Sequence, residues 1–527
     1  MTLLRSILTI SILTLCSRIT GFIRDILMAH ALGAGLVADA FLTAFKLPNL
    51  FRRLFAEGAF GAAFVPLYST ALEKEGRTEA DAFASRALST LTLFLLAVIG
   101  LAEIVMPWIL ILFAPGFRHT PGKILMATEL ARITFPYILS ISIVSLQAGV
   151  LNALHKFAAA AATPVLLNLS MISCLLGAAS LTAPPAYALA WGVSVAGVLQ
   201  LVWLSYICAR AGIHFTLRWP RWDAQVRLLA RRVLPVAFGA GLYQVNLMID
   251  TALASLVSNG AVSFLYYADR ISQLPLGIVG VAVGTALLPL LARQISAGHI
   301  EEAIASQNRA IEFALFLTLP ATVALLVMAE PIVSILFERG AFGVPERTAT
   351  AMTLAAFAVG LPANVLNKVL TPSFFARQDT TTSVQVATLA LSVNVLLSLI
   401  LMWPLAHVGI ALSSALSAWL NAAVLGIVLY RRGHLLFDRR LRTRLPRLFV
   451  ISIFMGISLI AGEVALAQWR LNGPAEWNRF GAVVLLIVGG LMIFASLAHI
   501  SGIASLSDLK DLKGLKGQKG IHNKLRA

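Results

Sequence analysis

The sequence predicts an all-α polytopic membrane protein, and three observations support this fold class. Hydrophobic residues make up 59% of the 527 positions, charged residues make up only 12%, and the mean hydropathy is +0.86. A soluble domain carries about a quarter charged residues. Long apolar runs recur along the whole chain, each able to cross ~30 Å of hydrocarbon as a helix. The runs lack the alternation typical of barrel strands, so we expect helices.

The apolar runs divide into fourteen predicted spans. Their bounds are 6–32, 37–67, 87–113, 127–153, 158–181, 186–209, 233–257, 263–291, 310–337, 349–375, 382–403, 407–430, 446–467 and 479–500. An even number places both termini on one side. The loops on that side carry 27 Lys and Arg, and the opposite loops carry 6. Because cationic loops stay inside, we expect a bacterial inner-membrane protein with both termini in the cytoplasm.

The net charge of +17 follows from this loop bias. No basic domain lies outside the spans, so the charge does not indicate nucleic-acid binding. The sequence contains no P-loop, HExxH or GxSxG motif, and its three cysteines lack metal-ligand spacing. We therefore expect no enzyme activity.

A weak internal repeat predicts two pseudo-symmetric six-helix lobes. Asp25, Leu47-Pro48 and Pro66 correspond to Asp250, Leu274-Pro275 and Pro289 at offsets of 225, 227 and 223. Transport sites lie between such lobes near the bilayer midplane. The expected domains are an N-lobe over 1–212, a basic cytoplasmic linker over 213–232, a C-lobe over 233–432, two extra C-terminal spans within 433–501 and a basic cytoplasmic tail over 502–527.

Charges inside the spans are the strongest functional signal, because burying one costs at least ~2.5–3.5 kcal/mol. They concentrate in spans one, two and eight. The candidates are the cations Arg18, Arg24, Lys46, Arg52, Arg53 and Arg270 and the carboxylates Asp25, Asp39, Glu57 and Asp269.

Helical periodicity orders these charges on the first two spans. Arg18 and Asp25 share a face of span one, whereas Arg24 lies about 120° away. Asp39, Lys46 and Arg53 form a heptad-spaced stripe on span two. The carboxylates could be internal partners that only stabilise helix packing. The arginines outnumber the carboxylates on their helices, and guanidinium binds phosphate bidentately, so the pattern favours an anionic cargo.

The chain resembles the MurJ (MviN) lipid II flippase family, within the multidrug/oligosaccharidyl-lipid/polysaccharide exporter superfamily. The resemblance covers the entire chain and its span layout. It is carried by the motifs at 17–25, 38–41, 47–66, 267–277 and 336–342, of which Leu47-Pro48-Asn49 through Arg52-Arg53-Leu54-Phe55-Ala56-Glu57-Gly58 is the most specific.

The resemblance implies a two-lobe transporter with a central cationic cavity and alternating access. Its cargo would be lipid II, a polyisoprenyl-diphosphate disaccharide-pentapeptide, moved outward for peptidoglycan synthesis. Spans thirteen and fourteen would form a groove for the isoprenoid tail, and cell-wall synthesis enzymes would be partners. Similar proteins use the arginines that match Arg18, Arg24, Arg52 and Arg270, together with Asp39. The helical wheel favours Arg53 over Arg52, and both are kept as candidates with Asp25, Asp269 and Glu57 as supporting charges.

The coupling of transport stays open at the level of sequence. No cofactor is expected, but some relatives bind sodium at a site that Asp250 and Asn394 could partly match, and Ser398 stands where that site has a carboxylate. Some relatives also carry a carboxylate at the position of Gln273, so a proton could be the driver, as could the membrane potential. Two other functions remain as alternatives: a cation-coupled multidrug exporter of the same superfamily, and a membrane scaffold that transports nothing.

Overall fold

The computed structural model describes residues 3–54, 60–181, 183–216, 219–220, 222–471 and 475–503, and within these ranges the regular structure is helical throughout. The helices of the N-terminal half are α1 (Leu3–Leu32), α2 (Leu36–Leu54), α3 (Phe60–Lys74), α4 (Arg77–Phe113), α5 (Lys123–Thr134), α6 (Tyr137–Ala153), α7 (Phe157–Leu181) and α8 (Pro185–Arg210), with a 3-10 turn at Pro115–His119.

Eight helices follow in the C-terminal half. They are α9 (Ala224–Val257), α10 (Ala261–Ser296), α11 (Ile300–Val327), α12 (Ala329–Phe337), α13 (Val344–Phe375), α14 (Thr380–Arg431), α15 (Arg439–Leu471) and α16 (Ala475–Ile500). The prediction of an all-helical chain is therefore confirmed for the described residues.

Nine segments among the described residues are long and apolar enough to cross a membrane. They are Arg77–Phe113, Lys123–Ala153, Phe157–Ala179, Pro185–Arg210, Ile300–Val327, Val344–Phe375, Thr380–Arg431, Arg439–Leu466 and Arg479–Ile500. Helices α1, α2 and α10 carry the charges that stand out in the sequence.

Several helices differ from the predicted spans at proline and loop positions. Helix α14 runs for 52 residues, but Ala406 has a left-handed φ of 51° two residues after Pro404. This break lies between the predicted spans 382–403 and 407–430. Helix α14 therefore contains both predicted spans, separated by the break at Ala406. The predicted span 310–337 is divided at Met328, and the span 127–153 is interrupted between Thr134 and Tyr137.

The chain divides into two compact units. The first comprises Met1–Tyr267, Phe337–Glu346 and Met402–Ile410, and the second comprises Ala268–Leu336, Arg347–Leu401 and Ala411–Ala527. In the first unit, aromatic rings fill the interior, and Phe41, Phe64 and Phe83 are fully buried. In the second unit, one core cluster joins α10, α11, α13, α14 and α15, and another joins α11, α15 and α16.

Large apolar side chains cover much of the outer surface of both units. On α4, Ile104, Trp108 and Leu112 are each at least 70% exposed, and on α15, Val464 is 71% exposed. Exposed apolar patches of this extent mark a surface that meets lipid or protein rather than water. Together with the apolar helices, they show a multi-pass membrane protein.

Candidate functional site

The first charged cluster lies on α1 around Arg24, which is only 5% exposed. Its Nη2 and Nε atoms donate to Asp25 Oδ1 at 2.7 and 3.1 Å. Nη1 donates to Asn168 Oδ1 on α7 at 2.9 Å, and the guanidinium carbon lies 5.9 Å from the centre of the Phe45 ring. The Tyr266 hydroxyl donates to Asp25 Oδ1 at 3.0 Å and accepts from Arg24 Nη2 at 3.4 Å. A buried charge is tolerable here because it is both paired and hydrogen-bonded.

The helical wheel placed Arg18 and Asp25 on one face without assigning them as a pair, and the structure pairs Asp25 with Arg24. On the wheel, Arg18 rather than Arg24 shares the face of Asp25. The long guanidinium of Arg24 reaches around the helix to its neighbour, since α7 supplies an acceptor on the same side. Arg18 itself lies on the exposed surface of α1.

Asn168 is a site residue that sequence reasoning missed. Its amide nitrogen donates to the Ser17 carbonyl at 3.0 Å and to Thr20 Oγ1 at 3.2 Å, while its oxygen accepts from Arg24. The amide can approach this closely because Gly21 has no side chain: a Cβ there would lie 3.2 Å from Asn168 Nδ2. A polar amide in the middle of an otherwise apolar span was the available signal.

The second cluster surrounds Asp39, which is fully buried. Lys123 Nζ at the start of α5 donates to Asp39 Oδ2 at 2.8 Å, and the Lys123 side chain is 2% exposed. The backbone N–H of Gly260 donates to Oδ2 at 2.7 Å. The N–H and hydroxyl of Ser263 donate to Oδ1 at 2.9 and 2.6 Å. Asp39 thus occupies the N-terminus of α10, where unpaired N–H groups and the helix dipole favour an anion.

The charge count includes Lys123 among the six cations of the loops opposite the termini, and the structure shows that its side chain is buried. Its ammonium also donates to Asn259 Oδ1 at 2.9 Å and lies 4.3 Å from the centre of the Phe117 ring. A charge count assigns loop cations to water, but it cannot anticipate that a buried carboxylate on another helix compensates one of them. Gly260 and Ser263 were likewise missed. Gly260 acts through its backbone N–H, and Ser263 acts through both its N–H and its hydroxyl.

The motif at 336–342 lies beside the turn between α1 and α2. The Ala341 N–H donates to the His30 carbonyl at 2.9 Å, and the Tyr267 hydroxyl donates to the Gly33 carbonyl at 3.2 Å. The Tyr267 ring packs against Phe337 and Phe342 at centroid distances of 5.0 and 5.7 Å. This motif therefore forms packing contacts and backbone hydrogen bonds within the first unit.

The remaining cations of α2 make polar contacts inside the first unit. Lys46 Nζ donates to Thr251 Oγ1 on α9 at 2.8 Å, and Arg52 Nε donates to Asn49 Oδ1 one turn earlier at 3.1 Å. Both cations are half-buried. The Arg53 side chain and the whole of Glu57 lie outside the described residues.

The other candidates are distributed over both units. In the second unit, Asp269 accepts a hydrogen bond from Gln273 one turn along α10, and Arg270 is half-buried on the same helix. Asn394 and Ser398, one turn apart on α14, are both buried there. Asp250 is half-buried on α9 in the first unit.

The comparisons with known proteins agree with one another. A sequence model of the family described as "Lipid II flippase MurJ" matches residues 28–473. A Rhizobium tropici protein named "Probable lipid II flippase MurJ" is 45% identical over 510 residues, covering 95% of each chain. A Burkholderia cenocepacia protein named "Lipid II flippase MurJ" is 38% identical over 440 residues, covering 82% of this chain and 85% of its own.

Solved structures show a corresponding fold. A structure described as "Lipid II flippase MurJ, inward closed conformation" aligns with a TM-score of 0.77 at 24% identity, covering 93% of this chain and 98% of its own. An inward-facing multidrug transporter of the MATE family aligns with a TM-score of 0.67 at 14% identity, covering 79% and 94%. Family match, identity and coverage lead to one conclusion: the chain belongs to the MurJ lipid II flippase family.

Proposed function

We propose that this protein moves lipid II from the inner to the outer leaflet of the bacterial cytoplasmic membrane by alternating access. The family match over residues 28–473 carries the proposal. The apolar helices and the exposed apolar surface support a site of action within the bilayer. Transport of this cargo needs recognition of a diphosphate in a medium of low dielectric, and cationic side chains held inside the membrane supply it.

The diphosphate is bound by Arg18, Arg24, Arg52, Arg53 and Arg270, with Asp39, Asp25, Asp269 and Glu57 in support. Arg18 and Arg24 are six residues apart on one helix, which separates their Cα atoms by about 9 Å along the axis. Arg24 is oriented by Asp25 and Asn168, so a phosphate oxygen can replace an existing acceptor without reorganising the backbone. Asp25 then remains to hold the guanidinium in place.

In the alternating-access cycle, the Asp39 cluster holds the two lobes together on one side of the cavity. Its carboxylate connects α2 and α5 with the first turn of α10 through Lys123, Gly260 and Ser263. In the two-lobe arrangement, α2 and α5 belong to the N-lobe and α10 belongs to the C-lobe. Opening the cavity at this end requires that the hydrogen bonds from α10 be broken and made again in each cycle.

The finer architecture belongs to the same proposal. The first twelve of the fourteen spans form two six-helix lobes, spans thirteen and fourteen accommodate the isoprenoid tail, and both termini lie in the cytoplasm. The membrane potential, a proton or sodium drives the cycle, with Asp250 and Asn394 as candidate sodium ligands. Cell-wall synthesis enzymes receive the cargo on the outer side.

The deciding experiment measures translocation of fluorescently labelled lipid II in proteoliposomes. We expect Arg18→Ala and Arg270→Ala each to abolish translocation while the protein is still inserted and folded. Arg227→Ala removes an exposed cation near the start of α9 and serves as the matched control, with full activity expected. Full activity of both site variants would refute the proposed site, and inactive wild-type protein would refute the function.

Cation-coupled multidrug export is the second candidate, favoured by the fold similarity to a MATE family transporter. An efflux assay with cationic dyes separates the two functions. Robust dye export without lipid II translocation would make multidrug export the better supported function.

A further inference from the structure

A cavity of about 450 Å³, half-open to the surface, lies in the first unit between α1, α7 and α8. Pockets that bind small molecules measure roughly 300–1,000 Å³. Its walls include Leu13 of α1, Ala159 and Ala162 of α7 and Trp203 of α8, and His155 and Lys156 lie at one end. The cavity is thus apolar along its length and cationic at one end.

The space results from an alanine run on α7. Residues 158–162 are all Ala, so this stretch of the helix has no side chain long enough to fill the gap toward α1. Trp203 lines the opposite wall, and its Nε1 donates to the Ala159 carbonyl at 3.3 Å. The cavity is half-open, but its apolar lining offers water few hydrogen-bond partners and makes fewer dispersion contacts while it is unfilled. An apolar chain is the occupant that restores them.

The surroundings of the cavity indicate that this occupant comes from the membrane. Exposed apolar side chains flank it on α1 at Leu8 and Ile12 and on α8 at Val202. Tyr206 of α8 is also exposed, and the Arg210 guanidinium lies 5.7 Å from the centre of its ring. Aromatic side chains beside exposed cations are typical of the headgroup level of a bilayer.

The cavity differs from the proposed cargo site in its lining. Leu13 precedes Arg18 by five residues and Arg24 by eleven on α1, separations of about 7.5 and 16 Å along the helix axis. Its cationic end carries Lys156, whereas the Arg24 cluster is built on Asp25 and Asn168.

We propose that this cavity binds one molecule of an anionic phospholipid, with an acyl chain along the alanines of α7 and the phosphate at Lys156. Basic pockets between membrane helices on the cytoplasmic side recognise anionic headgroups. The assignment to the cytoplasmic leaflet rests on the orientation proposed above. Because Thr9 and Leu13 of α1 line the cavity, the bound lipid packs α1 against α7 and α8. It thereby supports the helix that carries Arg18 and Arg24.

The test uses full-length protein in phosphatidylcholine nanodiscs with a graded fraction of phosphatidylglycerol. Native mass spectrometry counts the phosphatidylglycerol molecules retained by each protein. We expect one retained molecule in the wild type. Lys156→Gln should weaken its apparent affinity about fivefold, the effect of one cation near an anionic headgroup. Ala162→Phe places a ring in the cavity and should abolish retention.

Matched controls distinguish the cavity from general surface effects. Arg227→Gln removes an exposed cation elsewhere, and Ala209→Phe adds a ring at an exposed position of α8. Both should retain the lipid as the wild type does. If Ala162→Phe fails to fold, Ala162→Leu fills part of the same space with a smaller side chain.

Three outcomes would overturn the proposal. Retention could be the same in the cavity variants as in the controls, or phosphatidylcholine could be retained as well as phosphatidylglycerol. Stoichiometric undecaprenyl diphosphate could also displace the phospholipid, which would assign the cavity to the cargo. The experiment measures phospholipid binding, so its result does not depend on whether the protein translocates lipid II.

Discussion

At the scale of single residues, two buried carboxylates of the first unit form ion pairs with cations at very different distances along the chain. Asp25 pairs with Arg24 next to it in sequence, and Asp39 pairs with Lys123, which lies 84 residues further along the chain. In both cases the carboxylate accepts further hydrogen bonds, from Tyr266 in the first and from Ser263 in the second. A buried ion pair contributes to the fold only when such additional bonds satisfy it.

The hydrogen-bonding geometry of the Arg24 guanidinium, and not only its charge, should be needed for lipid II translocation. Arg24→Lys keeps the positive charge but cannot donate to Asp25 and Asn168 in parallel, so we expect the initial rate of lipid II translocation to fall by about tenfold or more. The proteoliposome assay measures this rate, with Arg227→Lys as the control. An unchanged rate in Arg24→Lys would show that charge alone suffices.

The Asp39–Lys123 pair should show strong coupling in a double-mutant cycle. Lys123→Met leaves a buried carboxylate without its cation and should lower the free energy of unfolding by about 3–5 kcal/mol. In Asp39→Asn/Lys123→Met the charge is removed from both sides, so the loss should be smaller than the sum of the single losses. Steric trapping in bicelles measures the free energies. Additive losses would contradict a direct pairing.

At the scale of elements, helix ends and helix contacts decide where the polar groups meet. Helix α10 begins directly after Gly260, whose φ of +91° lies in the left-handed region that side chains avoid. A Cβ at this position would lie 2.5 Å from the Ala34 carbonyl oxygen. The turn before α10 can thus approach the α1–α2 turn only with glycine at this position.

A pair of glycine variants separates two destabilising effects of an added Cβ: backbone strain at a positive φ and steric overlap with a neighbouring residue. Gly298 has a similar φ of +77° but no heavy atom within reach of a Cβ, so Gly298→Ala should cost only about 1–2 kcal/mol. Gly260→Ala adds an overpacking penalty of about 1–3 kcal/mol. We expect the larger fall in the thermal unfolding midpoint for Gly260→Ala. Equal midpoints would show that the contact with Ala34 relaxes without strain.

In the second unit, Glu312 of α11 binds the start of α15. Its carboxylate receives Arg309, Arg440 and Arg444 at 2.8, 3.1 and 2.5 Å, and its side chain is 9% exposed. Arg309 also pairs with Asp438, whose carboxylate accepts from the Leu441 N–H in the first turn of α15. One buried carboxylate thus accepts hydrogen bonds from three guanidinium groups of two helices, and Asp438 supplies a second negative charge beside Arg309.

Loss of this carboxylate should detach the first turns of α15. Glu312→Gln removes the negative charge shared by the three arginines, of which Arg309 keeps Asp438. We expect a loss of about 1–3 kcal/mol, less than for a fully buried pair because Arg309 and Arg440 are about 40% exposed. Limited trypsin digestion should cleave faster between Arg439 and Arg447. Glu301→Gln, at an exposed position of the same helix, is the control and should be digested at the wild-type rate.

At the scale of the whole molecule, the orientation in the membrane is the property most open to direct measurement. We expect the loop that contains His119 to face the periplasm and the loop that contains Gly298 to face the cytoplasm, as the loop charges indicate. Each position is exposed in the structure. Cys16, Cys174 and Cys208 must first be replaced to leave one reactive thiol per variant.

The measurement labels intact cells with a maleimide that does not cross membranes. His119→Cys should react at once, whereas Gly298→Cys should react only after the membrane is permeabilised. The reverse pattern would invert the topology, and with it the leaflet of the proposed phospholipid site.

The sequence by itself determined the helical membrane class and, through its motifs, the family, because span length, hydropathy and motif identity are local properties of the chain. It also identified most of the charged residues that merit attention, since an intramembrane charge stands out against apolar neighbours. It did not assign their partners: Asn168, Lys123, Gly260 and Ser263 were missed, and Arg24 rather than Arg18 holds Asp25. Only the tertiary structure decided these pairings, because they depend on which helices pack together and how closely glycines such as Gly21 let them approach. A wheel or a charge count treats each helix alone, whereas a buried charge is stabilised by groups from several helices at once.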